Sequence, residues 1–198
     1  MRVMLVGQSW LGAEVLASLL GRGHDVAAVA APAGDRLYVA AVDAGVPVSN
    51  HGGALPAARV PPGTELIVCA HAHLFVSQGA RERARHGAIG YHPSLLPRHR
   101  GRDAVRWTIH MGDPIAGGTV YWMIDKADAG PIAAQDWCWV RRDDTPLSLW
   151  KRELGPLGVR LLTQVVDLAA TGHFPKADQD ESHATWEPAF ARPRLAER

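Results

Sequence analysis

One stretch of the chain gathers side chains able to move protons. Residues 87–101 read GAIGYHPSLLPRHRG. His92 closes a short apolar run and opens a loop rich in Pro and Arg. A histidine at the carboxyl end of a buried strand lies at the edge where α/β sheets bind ligands. Its imidazole changes charge near neutral pH. Further on, residues 124–131 read IDKADAGP, a loop with two carboxylates, Asp125 and Asp128, and a Gly turn. Taken singly, a structural histidine and a solvated loop carboxylate account for these residues. Taken together, His92 and Asp128, at the ends of adjacent strands, form a candidate proton-handling dyad.

Two other groups compete for attention. His71 and His73 are two apart and point the same way on an extended backbone. With a third ligand they could hold zinc. No carboxylate or cysteine stands nearby at ligand spacing, so the pair is read as lining a pocket and no metal is expected. Residues 7–12 (GQSWLG) make a strand-to-helix turn that could cradle a phosphate. The turn lacks the middle glycine of a dinucleotide fingerprint, and no dinucleotide is expected.

The elements that must position these residues alternate. Residues 1–7, 26–30, 46–48, 66–70 and 88–91 are apolar runs that read as strands. Between them, Ser9 caps a helix ending near Gly21, residues 35–44 read as a second helix and residues 77–86 as a third. The alternation predicts an α/β fold with a doubly wound, mostly parallel, Rossmann-like sheet. Right-handed crossovers then bring the strand ends to one edge. Past the loop, residues 104–110 look helical, and 119–123 and 132–140 look like strands. Thr145-Pro146 starts a long helix that Gly155-Pro156 kinks or divides. Residues 1–175 read as one domain. Residues 176–198 form an extended tail that packs poorly or only in part.

Composition narrows the function. The chain has 198 residues, 47% of them apolar, enough for one domain with a real core. Lys plus Arg number 21 against 20 Asp plus Glu, so no net field holds a polyanion and no nucleic-acid partner is expected. The short Arg groups at 81, 83, 85 and at 98, 100, 102 read as a helix face and a loop. Cys69 and Cys138 sit in apolar runs and read as free thiols of a reducing compartment. No apolar run approaches a membrane span. A cytoplasmic, membrane-free protein is expected.

HPSLLPRHRG followed by DAGPI resembles the folate-dependent formyltransferase superfamily. Within it, residues 1–175 look most like the N-terminal hydrolase domain of 10-formyltetrahydrofolate dehydrogenases. The resemblance implies the formyltransferase fold, 10-formyltetrahydrofolate as formyl donor, and a small acceptor, either an amine or water. It matches His92 and Asp128 to the catalytic pair, and Ser94, Leu95 and Pro97 to the loop beside the folate. It implies pterin contacts from residues 70–75, among them Ala70, His73, Leu74 and Phe75, and from Ile124, Asp125 and Ala127. There is one departure. Typical transferases carry Asn two residues before the histidine, where this chain has Gly90. The hydrolase domain also lacks that Asn. A missing oxyanion donor costs about 3–4 kcal/mol of barrier where measured. The expectation is therefore weak amine formylation and slow hydrolysis, unless a neighbour such as His71 or Gln78 supplies the missing donor. A folate-binding module without turnover, or a zinc hydrolase on His71 and His73, remain the alternatives. The sequence leaves the oligomeric state open.

Overall fold

The computed structural model describes residues 1–50 and 52–190. The chain runs β1 (Arg2–Gly7), α1 (Ser9–Gly21), β2 (Asp25–Ala31), α2 (Arg36–Asp43), β3 (Val48–Asn50), β4 (Ala54–Leu55), β5 (Leu66–Ala70), β6 (Phe75–Val76), α3 (Gln78–Arg83) and β7 (Ala88–His92). It continues with α4 (Ala104–Met111), β8 (Ile115–Trp122), β9 (Ile132–Trp139), α5 (Pro146–Leu149) and α6 (Gly155–Ala170). The main sheet has the order β3-β2-β1-β5-β7-β8-β9. Its first five strands are parallel, and the β7–β8 and β8–β9 pairs are antiparallel. β4 and β6 form a small separate pair.

Continuous apolar runs form the parallel strands because both sheet faces are covered. β1 shows this directly. Val3 and Leu5 pack with α1 and α6, while Met4 and Val6 pack with Ile67, Cys69 and Ala80 on the other face. The chain changes direction between β1 and β5, where ligands bind in open α/β sheets.

Local chemistry sets several boundaries. Thr145 and Ser148 form a reciprocal capping box at the start of α5, with Pro146 at the first helical position. The break expected at Gly155-Pro156 is a π-helical turn over Trp150–Leu154, after which α6 begins. Ser9 was expected as the cap of α1. Instead it is the first helical residue, at φ 59°, and Gln8 is the cap residue without a side-chain bond. The cap comes from outside the segment. Asp35 Oδ1 accepts from the Ser9 amide at 2.7 Å and from the Leu37 amide at 2.9 Å, serving α1 and α2 together.

Candidate active site

β7 delivers His92 at its last residue, and the side chain is buried. Its Nε2 lies 2.7 Å from the His99 carbonyl oxygen, an acceptor only. Nε2 therefore carries the hydrogen, and Nδ1 is the nitrogen left for chemistry. Nδ1 stands 3.8 Å from Asp128 Oδ2. That separation is too long for a direct hydrogen bond.

The loop between His92 and Gly101 is fastened to the sheet by polar bonds. The Thr119 hydroxyl donates to the Ser94 carbonyl at 2.7 Å and accepts from the Leu96 amide at 3.1 Å. Gln135 donates to the Leu96 carbonyl at 3.0 Å and to Thr119 Oγ1 at 2.8 Å. Leu95 lies over Gly117, where an added Cβ would come within 2.4 Å of Leu95 Cδ2. The Leu96–Pro97 peptide is cis. Ser94 is buried and donates to the Arg98 carbonyl at 2.6 Å, so its hydroxyl serves the loop itself. A cavity of about 260 Å³ lies behind the loop, lined by Leu95, Arg98, His99 and Asp113 among others; His92, Asp128 and Tyr121 do not line it.

Asp128 reaches His92 by a route the strand pattern does not suggest. β8 is antiparallel to β7 and places Trp122, its last residue, beside Ile89. The β8–β9 connection then folds back over the sheet face. Gly130 permits this, since a Cβ there would lie 1.7 Å from the Trp122 carbonyl oxygen. Asp128 adopts φ 52°, a conformation that costs a non-glycine residue energy and that clusters at functional sites. Its carboxylate is held at both ends. Oδ2 accepts from the Gly101 amide at 2.9 Å, and Oδ1 accepts from the Tyr121 hydroxyl at 2.8 Å.

Residues 50–166 match the family model described as formyl transferase. The chain belongs to the formyl transferase family. It is 38% identical over 205 residues to mitochondrial 10-formyltetrahydrofolate dehydrogenase of Mus musculus, covering 94% of this chain and 22% of that protein. The chain thus spans about a fifth of the length of the curated relatives it matches. Glycinamide ribonucleotide transformylase 1 from Symbiobacterium toebii superposes with a TM-score of 0.75 at 25% identity, over 87% of this chain and 88% of that one. The N-formyltransferase from Helicobacter canadensis, solved with folinic acid and dTDP-3-aminofucose, shares the fold with a TM-score of 0.78 at 14% identity, over 94% and 70% of the two chains.

The formyl transferase site residues read from the sequence fall into two groups. His92 and Asp128 come together, with Leu95 and Pro97 half-buried on the loop beside them. The two segments assigned to the pterin are tied to each other by Arg81. It donates to the Val76 carbonyl at 2.8 Å and pairs with Asp125. On these segments Phe75 and Ile124 are exposed apolar side chains. His73, Asp125 and Ala127 are exposed too, while Ala70 and Leu74 are buried. Leu74 packs into the core with Leu55 and Val76, so only its main chain remains for a ligand.

The other candidates resolve differently. The His71 and His73 rings meet edge to face at 4.8 Å, and His71 lies 6.0 Å from the Trp150 ring. Burial, with His73 beside it, holds the His71 imidazole below its ordinary value, Asp35 opposing. Among the described residues no group of three His, Cys, Asp or Glu side chains is arranged to hold a metal. The first amide of α1, the natural seat for a phosphate in the 7–12 turn, is taken by Asp35. Gln78 donates to Glu82 at 2.7 Å, not toward Gly90. Cys69 is buried and its thiol is pushed up to about 12 by that burial, which leaves it unreactive. Cys138 is half-buried on the edge strand, and burial likewise pushes its thiol up, to about 11.

Sequence reading missed Tyr121, Gly101 and the His99 carbonyl. The signal for Tyr121 lay in the β7–β8 register, where it pairs with Gly90. That register was hidden because β8 begins at Ile115, four residues before the expected 119, its first half disguised by Gly117 and Gly118.

Proposed function

We propose that this chain transfers the formyl group of 10-formyltetrahydrofolate to a small acceptor, an amine or water, using His92 and Asp128. The observation that carries the reading is the gap of 3.8 Å between His92 Nδ1 and Asp128 Oδ2, two side chains each held by fixed hydrogen-bond partners. The gap suits a bridging water or a reacting atom. A relative solved with folinic acid supports a folate donor.

In this mechanism the acceptor's lone pair bonds to the formyl carbon, and the carbonyl electrons move to oxygen. Protonated His92 donates to that oxygen from Nδ1, because Nε2 is held by the His99 carbonyl. Asp128 takes the proton released by the attacking group. As the carbonyl re-forms, the oxygen returns its proton to His92, the bond from carbon to N10 breaks, and the proton held by Asp128 passes to N10, giving tetrahydrofolate and the formylated acceptor, or formate when the acceptor is water. Asp35 occupies the Ser9 amide and puts a carboxylate at the 7–12 turn, which opposes anchoring of an acceptor phosphate there.

The test is a product assay with 10-formyltetrahydrofolate, measuring tetrahydrofolate and formate with and without amines. Turnover in the wild type, and a loss on the order of 10²–10⁴-fold in His92→Ala and Asp128→Asn at unchanged melting temperature, is the expected result. Saturable folate binding without any turnover would make the chain a binding module instead.

A further inference from the structure

Gly90 and Tyr121 face each other across the β7–β8 ladder, on the sheet face that also carries His92. A Cβ built on Gly90 would stand 3.4 Å from Cε1, Cζ and the hydroxyl oxygen of Tyr121. The phenol thus covers the ground onto which a side chain at position 90 would project. Tyr121 is 8% exposed, so its hydroxyl needs a partner inside the protein. The partner is Asp128 Oδ1, at 2.8 Å. A phenol has one hydrogen to give, so Tyr121 acts through the carboxylate and not on the formyl oxygen.

The terminal torsion of an aspartate is broad and sets no orientation by itself. A single bond from the Gly101 amide to Oδ2 would leave the carboxylate free to swing. The second bond, on the other oxygen, fixes its plane. Oδ2 is then the oxygen presented to His92. We propose that Tyr121 is the positioning residue of this site: seated over Gly90, it holds Asp128 in the orientation that meets His92. The proposal rests on the formyl-transfer reading. Burial, with Asp128 beside it, keeps the phenol well above its ordinary value, so the donor persists through the working range of pH.

Tyr121→Phe tests this, since it keeps the ring over Gly90 and removes only the hydroxyl. The full chain is assayed for formate and tetrahydrofolate over a range of pH, alongside a thermal melt. The expected result is a fall in kcat of about tenfold or more with KM for 10-formyltetrahydrofolate within about twofold. A variant that is folded and shows wild-type kcat overturns the role of Tyr121. So does a variant that loses affinity alone. A wild type with no turnover overturns the formyl-transfer reading itself, and the tyrosine's role with it.

Discussion

At the scale of single residues, the site is decided by which atoms are already taken. The His99 carbonyl takes His92 Nε2, so Nδ1 is the nitrogen left for the proposed proton transfer. Gly101 and Tyr121 take one oxygen each of Asp128, so the carboxylate has one orientation. The same accounting changes the expectation for Gly90. From the sequence the glycine leaves a gap, and an amide placed there restores an oxyanion donor. In the structure the gap is filled by the Tyr121 ring, while the backbone at Gly90 is free of positive φ. Gly90→Asn therefore brings its amide against the phenol and pushes the hydroxyl off Asp128. The expected outcome is formate release slower by about tenfold, with about 1–3 kcal/mol lost from a denaturant melt for the overpacking. A variant faster than wild type would show that the ring gives way and that the amide works as a donor.

At the scale of elements, polar side chains at strand and helix ends do the joining. Asp35 is the clearest case, since one carboxylate oxygen serves the first amide of α1 and the second amide of α2, and the two helices pack together. Asp35→Ala is expected to cost about 1–2 kcal/mol, the upper range for a lost cap. At this chain length that lowers the melting temperature by about 2–8 °C, read by calorimetry. A shift below 1 °C would mean that water replaces the carboxylate at both helices. This contact also marks the boundary of what the sequence makes legible. Strands that run apolar from end to end, such as Leu66–Ala70, were readable because both faces are buried. The Thr145-Pro146 start was readable because its cap is local. The cap of α1 was not, because its partner is 26 residues away. A pairing of His92 with Asp128, which the structure brings to 3.8 Å, was readable from their motifs. The path that joins them was not, because it depends on an antiparallel pair whose first half is disguised by Gly117-Gly118.

At the scale of the whole molecule, the described tail is a strap across the loops of the site. It contains little regular structure, which is why it reads as a loose extension, yet polar bonds fasten it along its length. Ala177 and Ile132 exchange both amide bonds, at 2.7 and 2.9 Å. Gln179 donates to the carbonyls of Asp128 and Gly130 at 2.9 and 2.7 Å. Arg100 is buried and reaches Gln179 and Glu181, and Lys126 joins Glu181 at 3.1 Å. Thr185 bonds the amide of His99 through its hydroxyl at 2.8 Å, and Glu187 lies 3.1 Å from His99 Nδ1. Asp113 sits on the other nitrogen of His99 at 2.7 Å. Burial pushes the Asp113 carboxyl up, but the bonds from Arg98 and His99 prevail and hold it below its ordinary value. Glu181 gives the strap its acid sensitivity. Hydrogen bonds from Arg100 and Lys126 lower its carboxyl from 4.5 to about 2. A carboxyl depressed in the folded state adds stability that is fully present above its unfolded value and is lost as pH falls through the folded one. The strap should therefore hold unchanged down to about pH 4.5 and loosen between there and about pH 2. Amide hydrogen exchange at Ala177 and Thr185, each compared with the buried β1 amides at the same pH, reads this directly. Their protection is expected to fall first, and only on the acid side of that window. Protection already lost between pH 7 and 5, or still intact at pH 2, would show that the Arg100–Glu181–Lys126 cluster does not fasten the tail.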